Sequence, residues 1–449
     1  MPLPDTGKRS SRLAAIALGL ALLGAASMVY YEFGFFIPRV QEAHLAKHMV
    51  GQYLVGQDIY PVWLTTREWL AGRVDPYSPA VTREIQVALF GRPMDGQFPT
   101  DPPSDYRTFA YPAFTDLILW PATTLPFRIL RMVWIALLVV LLVAAVFLWT
   151  QTFSWRVSAA WFAVMALLTV CSYPELEGLS VGQLGLFVGF LLAASLWALQ
   201  RGRQLLAGLL MALTTIKPQM TLLAILYLVF WSLHDWRRRW RFSMSFLGSM
   251  FLLTGASLAV WPHWISSWAH VLLGYRSYTT PPLASQLLGF GSGSLSNAVP
   301  ALAAAILALA LTWHGRAADL GSQEFWLTLC VLLGLTSITV LAGQSLCDDI
   351  ILLPGILWLA HARQPQRSSP IFRRLRALGL ALLLWPWAAA LGLIGLRPFL
   401  SRELFRSKDI FILPVRTAST FPFMVLFLLS LALWIELQRA GESASAPQR

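Results

Sequence analysis

Apolar residues run through this chain in long blocks, not at the alternating spacing of a half-buried surface. Blocks at 13–36, 130–150, 156–172, 181–199, 204–216, 219–233, 242–261, 298–313, 325–342, 349–362, 376–395 and 419–437 are apolar almost throughout. About 17 to 25 such residues in a helix cross a ~30 Å hydrocarbon layer, and fewer suffice where the bilayer thins or the helix is broken. The pattern predicts an all-α polytopic membrane protein with about twelve transmembrane helices. One further stretch, Tyr111 to Phe127, is apolar enough to count. Pro112, Pro121 and Pro126 break it, however, and Asp116 sits inside it.

Arginine placement arbitrates that stretch. If 111–127 does not cross, the N-terminus shares a side with Arg201 and Arg203, Arg237 to Arg239 and Arg241, Arg316, the arginines between 363 and 376, and Arg439. Short arginine-rich loops then all face the cytoplasm, as the positive-inside bias requires. So 111–127 is expected to be a re-entrant or interfacial hairpin, and both termini of an inner (plasma) membrane protein to be cytoplasmic. Lys8, Arg9 and Arg12 precede the first block as in a signal peptide. No convincing small-residue cleavage site follows, so the block is expected to be a retained first span. The chain is then a single transmembrane domain, 1–449, with extracytoplasmic segments at 37–129, 173–183, 262–297 and 396–418. The first of these is large enough to hold interfacial helices, and 440–449 reads as a disordered tail.

Composition agrees with this class. Of 449 residues 57% are hydrophobic and 12% charged, against roughly 25% charged in a soluble domain. The net charge of +12 comes with no run that interleaves basic and aromatic residues in the manner of a nucleic-acid platform, so no nucleic-acid partner is expected. Cys171, Cys330 and Cys347 are too scattered for a zinc set. His44 and His48 share a helix face but have no third ligand near them in sequence. No metal or cofactor is expected.

The polar chemistry gathers in Gly51 to Tyr77, where Asp58, Arg67, Glu68, Arg73 and Asp75 lie among Tyr53, Tyr60, Trp63, Trp69 and Tyr77. Aromatics interleaved with charge suit a membrane–water interface, and Tyr60 to Leu70 reads as a helix lying in it. After Gly72-Arg73-Val74-Asp75-Pro76-Tyr77 come the Tyr111-Pro112 hairpin, a helix led by Gly182-Gln183, an Arg-Gly-Arg turn at 201–203, and a run ending at Lys217-Pro218. In that order the features resemble the GT-C superfamily of membrane glycosyltransferases, in particular its polyprenol-phosphate-mannose-dependent mannosyltransferase-like family.

The resemblance implies a GT-C-like fold, a hexose (mannose) carried on a polyprenyl-phosphate donor, a lipid or glycan hydroxyl as acceptor, inversion, and a first-loop acid as general base. Asp58 matches that acid. A hydroxyl attacking an anomeric carbon loses its proton as the bond forms, and a positioned carboxylate takes it. The plainer alternative has Asp58 capping the helix that opens at Tyr60-Pro61. Lys217 lies between two apolar segments, where an ionisable residue is expensive. It either meets a donor phosphate or snorkels to headgroups, and Arg276 and Arg402 share those two options. Tyr60, Arg67, Asp75, Tyr77, Tyr111, Gln183, Gln344, Asp348 and Asp349 are candidate substrate-binding residues. Against that, Asp-Pro at 75–76 favours a simple turn, the rings favour interfacial anchoring, and Asp348 and Asp349 suit a helix start. The rival class is a secondary transporter or lipid-sugar flippase, which would place coupling acids in mid-span. Here Asp and Glu avoid the span centres, which favours the enzyme.

Overall fold

The computed structural model describes residues 6–51, 54–72, 75–99, 101–275, 278–287, 298–343, 345–361 and 370–445. Among these residues every regular element is helical. Helix α1 (Thr6–Tyr31) passes through one π turn, Glu32–Phe36, into α2 (Ile37–Leu45) without stopping. Arg12–Leu45 is thus one apolar helix of 34 residues, about 50 Å at ~1.5 Å per residue. It outlasts the hydrocarbon layer, and its helical backbone continues past 37, where the first extracytoplasmic segment is expected to begin. Hydropathy marks where apolar residues thin out, not where helical hydrogen bonds end.

The loop that follows carries α3 (Tyr60–Leu70), α4 (Pro79–Phe90) and α5 (Phe114–Thr123). Proline in the first turn starts both α3 and α4, where its missing N–H costs nothing. Ser78 caps α4, and Gly91, in the left-handed region, ends it. Helix α5 packs on α3. Thr65 donates to the buried Asp116 (3.0 Å), and the Trp63 indole donates to the Leu125 carbonyl (2.9 Å). With 10 residues, α5 covers about 15 Å, too little to cross.

Then come α6 (Phe127–Thr152), α7 (Ala159–Val170), α8 (Tyr173–Val181), α9 (Leu184–Gln200), α10 (Gln204–Leu213), α11 (Pro218–His234) and α12 (Trp236–Val260). After α13 (Trp264–Tyr275) and α14 (Leu283–Leu287) the chain continues with α15 (Ala298–Gly315) and α16 (Gln323–Thr339). A 3-10 segment, Leu346–Leu352, leads into α17 (Leu353–Ala360), followed by α18 (Pro370–Leu383) and α19 (Trp385–Leu396). Short helices α20 (Arg402–Arg406), α21 (Lys408–Phe411) and α22 (Leu413–Ala418) precede α23 (Phe421–Ser445). Residues 440–445, expected in a disordered tail, continue α23 as helix. Extending an existing helix costs far less than starting one.

Among the described residues, four helical stretches are long and apolar enough to cross a membrane: Arg12–Leu45, Phe127–Thr152, Trp236–Val260 and Leu413–Arg439. Two bent pairs, α7 with α8 (61°) and α18 with α19 (40°), raise the number to six if each is one span. Five more apolar helices have 10–17 residues. The sequence expectation of about twelve therefore becomes four to six by length and composition. The difference lies chiefly in the apolar helices of 10–17 residues, which hydropathy marks as blocks although helix length alone leaves them out. The outward faces are those of a membrane protein: Phe251, Leu252, Leu302 and Ile306 are all exposed, which only lipid tolerates over so wide a surface.

Helix contacts close where side chains are small, as membrane helices require. At the crossing of α10 and α12, a Cβ on Gly208 would run into the backbone of Phe242 and Phe246. Ser245 donates to the Leu205 carbonyl at 2.6 Å beside it. Overpacking of this kind costs about 1–3 kcal/mol. Gly208→Ala should therefore lower the melting temperature of the detergent-solubilised protein, and Gly208→Leu should lower it further. Equal melting of all three proteins would show that the crossing is looser than its geometry.

Candidate active site

The site begins with a helix end. Gly182 adopts the left-handed conformation (φ 70°, ψ 40°) after α8, and the Gln183 N–H donates back to the Gly178 carbonyl at 2.8 Å. This arrangement closes a helix and turns the chain sharply. The carbonyls of Ser180 and Val181 are left to accept the N–H groups of Gly56 and Asp58, both at 2.8 Å. The Trp134 indole donates to the Gly182 carbonyl at 3.0 Å. Two segments more than a hundred residues apart are thereby stitched together, with Asp58 and Gln183 side by side.

Asp58 uses both carboxylate oxygens. Oδ1 accepts from Nη1 of Arg107 and Oδ2 from Nε2 of Gln183, each at 2.8 Å. The capping role is not the one it plays, because Ile59 is the N-cap of α3 and no side chain caps that helix. Gln183 continues the chain of contacts through its other amide atom. Oε1 accepts from Nζ of Lys217 (3.2 Å) and, at longer range, from the Tyr111 hydroxyl (3.4 Å). With a carboxylate on one side and an ammonium on the other, the amide has a single satisfiable orientation.

Lys217 occupies the break between the 3-10 turn Thr214–Ile216 and α11. Its ammonium donates to Oδ1 and Oδ2 of Asp348 at 2.6 and 2.8 Å. Lys217 and Asp348 are 7% and 3% exposed, so they form a buried pair and the snorkelling alternative does not hold. Together with Gln183, Asp348 takes up the three N–H donors a lysine has. The carboxylate fits because position 185 is glycine: a Cβ there would land on Asp348 Oδ1.

Arg107 was not singled out by sequence. It lies in a polar loop and holds a left-handed backbone (φ 64°), a conformation uncommon outside glycine that persists only where surroundings enforce it. The enforcement comes from α4. Gln86 donates to the carbonyls of Ser104 (2.9 Å) and Tyr106 (2.8 Å), and Thr82 shares a hydrogen bond with Thr108 (2.9 Å). Burial pushes the guanidinium pKa down, but the charge of Asp58 together with the phenols of Tyr106 and Tyr275 outweighs it and the net shift is upward.

The remaining expected residues divide. Tyr60 is buried, with its ring edge-on to Phe127 at 4.8 Å, so it is a core residue with no face open to a sugar. Arg67 lies over the Trp63 ring at 4.9 Å. Asp75 forms a turn, as its alternative had it, with Oδ1 accepting the Tyr77 N–H at 2.9 Å. Tyr77 donates its hydroxyl to the Tyr111 carbonyl at 2.8 Å and supports the hairpin from below. Asp349 accepts from the Ser337 hydroxyl. Asp348 and Asp349 lie in the first turn of the 3-10 segment, the helix start their alternative gave, although Ser345 is its N-cap and no side-chain bond caps it. Arg276 and Gln344 lie outside the described residues, as does the side chain of Arg402. The structure therefore brings together Asp58, Tyr111, Gln183, Lys217 and Asp348, adds Arg107, and leaves Tyr60, Arg67, Asp75 and Asp349 in structural contacts of their own.

A partly accessible carboxylate backed by a buried charge network thus lies at the ends of apolar helices, in a chain with helices of membrane-crossing length, and is a site within a membrane protein. The chain belongs to glycosyltransferase family 87, whose family model matches residues 109–386. That match covers more than half of the chain and includes Tyr111, Gln183, Lys217 and Asp348, and it begins after Asp58 and Arg107. Neither a curated protein nor a solved structure matches the chain.

The close fit at position 185 generates a test. Gly185→Ala should force Asp348 away from Lys217, and separating a buried pair costs about 3–5 kcal/mol when one charge is left alone. Sugar transfer should fall at least about tenfold and the melting temperature should drop. Wild-type values for both would mean that Asp348 has room to move.

Proposed function

We propose that this glycosyltransferase moves a hexose, mannose in the first instance, from a polyprenyl-phosphate donor to a hydroxyl of a lipid or glycan on the extracytoplasmic face, with inversion and with Asp58 as general base. The observation that carries the proposal is the state of Asp58. Its side chain is 13% exposed, is not spent on a helix cap, and is held at both oxygens in a fixed orientation. In the reaction the acceptor oxygen attacks the anomeric carbon while the bond from that carbon to the phosphate oxygen breaks. The bonding pair leaves with the polyprenyl phosphate, and the acceptor's proton passes to Asp58 and then to solvent. One carboxylate suffices, because no covalent intermediate forms.

The helices that carry the site support this orientation. Gln183 and Lys217 precede α9 and α11, whereas Arg201 and Arg237 to Arg241 follow those helices. The site and the arginine clusters therefore sit at opposite helix ends, about 26 Å apart over 17 residues. Arginines in the cytoplasm support an extracytoplasmic site. In this reading the shorter apolar helices cross as well, toward the expected twelve, the helices of the first loop lie in the interface, and both termini are cytoplasmic in the plasma membrane. A transporter or flippase is not favoured for a member of a transferase family whose buried acids are tied to a helix-end site.

Two outcomes are expected. Asp58→Asn preserves size and hydrogen bonding but removes the proton acceptor, so transfer from labelled polyprenyl-phosphate mannose should fall by about 10²–10⁴ with normal expression and melting. Near wild-type transfer would end the role of Asp58 as base. In intact cells, an impermeant thiol reagent should label Arg83→Cys, on the exposed face of α4, and should leave Arg238→Cys unlabelled. The reverse pattern would invert the orientation. Gly51 is unsuited to such labelling, because a Cβ there would collide with the Leu89 carbonyl.

A further inference from the structure

Two cations border the site, and their donors are not equally available. All three N–H groups of Lys217 are taken by Asp348 and Gln183, and its side chain is 8% exposed. Arg107 differs on each count. Its side chain is 33% exposed, and a guanidinium carries five donors, more than the Oδ1 of Asp58 and the neighbouring phenol of Tyr106 take up. The fork is also set in advance. Gln86 and Thr82 fix the loop that carries it, and Gln86 in turn accepts the Met94 N–H at 2.8 Å. A left-handed arginine backbone held by a buried glutamine is a built feature, not a solvated loop residue.

We infer that Arg107 is the residue that receives the phosphate of the lipid-linked donor, and that in doing so it lets go of Asp58. This rests on the polyprenyl-phosphate donor proposed above. A phosphate offers more charge and more acceptor oxygens than one carboxylate oxygen, and a planar guanidinium binds such groups in bidentate fashion. When Arg107 turns to the phosphate, Oδ1 of Asp58 loses its donor and becomes the lone pair open to the acceptor hydroxyl. Oδ2 remains held by Gln183, so the carboxylate keeps its orientation. The ion pair seen here is then the resting arrangement, in which the base is covered until the donor arrives. Lys217 and Asp348 form the fixed wall behind it.

The test uses farnesyl phosphate, a short prenyl monophosphate, titrated into the full-length protein in detergent, with farnesol and inorganic phosphate as the tail-only and phosphate-only probes. The wild type should bind farnesyl phosphate more tightly than either partial probe. Arg107→Gly, which suits the left-handed backbone, should weaken binding by about ten- to a hundredfold. Arg107→Lys keeps the charge without the fork and should fall between, and it decides the matter if the glycine variant does not fold. Asp58→Asn should tighten binding severalfold, because its uncharged side chain no longer competes for Arg107. A merely structural Asp58–Arg107 pair would not give that gain. If the wild type binds farnesyl phosphate but the Arg107 and Asp58 variants bind it equally well, the assignment to Arg107 is wrong while the donor class stands. If the wild type binds farnesol as well as farnesyl phosphate, or binds neither, the donor class fails and this inference fails with it.

Discussion

A buried ion pair between Lys217 and Asp348 is the constraint around which the site is assembled. Taking two charges out of water is tolerable only when geometry and hydrogen bonds are nearly complete. The surrounding chain supplies that completeness. A helix break before Pro218 releases Lys217 to turn inward, and a glycine at 185 clears the space for the carboxylate. A 3-10 segment delivers Asp348, and Gln183 absorbs the third ammonium proton. Each of these features contributes to the fit of the pair. The pair adds less to stability than to definition: it fixes which way the Gln183 amide points, and through that amide it fixes Asp58.

The geometry thus runs from the deepest group outward. Lys217 and Asp348 are sealed, Gln183 transmits their arrangement, and Asp58 and Arg107 meet the outside. These residues lie at 58, 107, 183, 217 and 348, so the site forms only when the first loop, two helix starts and a late 3-10 segment have all docked. Rigid support beneath and adjustable contacts above is the arrangement a site needs if it is to hold a base in place and still exchange partners with a charged substrate.

Much of this was legible in the sequence, for identifiable reasons. Lys217 stood out because a lysine between apolar blocks must have a partner, and Asp58 and Gln183 stood out in the order of motifs. Asp348 was marked, and it does lie in the first turn of its segment, but its pairing with Lys217 was not legible, since nothing local reveals a partner 131 positions away. Arg107 was missed because an arginine in a polar loop is ordinary, and its left-handed backbone has no glycine or asparagine to announce it. Tyr60 was misread in the opposite direction: an aromatic beside charges looks interfacial, and only packing against Phe127 shows it to be core. The number of spans differs because hydropathy marks apolar blocks of 10–17 residues that helix length alone does not count as crossing.

The π turn at Glu32–Phe36 has a consequence for how this chain is compared with others. Such a turn holds one residue more than the α-helix would, so the side chains beyond it are rotated by about 100° relative to those before it. Glu32, 1% exposed, uses that turn to reach Ser180, whose hydroxyl donates to it at 3.3 Å, next to the carbonyl that holds Gly56. A relative with an unbroken α-helix here would be shorter by one residue. Aligned without a gap, every position on one side of the turn would be matched to the wrong face of the helix, and an inward glutamate would appear to have been replaced by a lipid-facing residue.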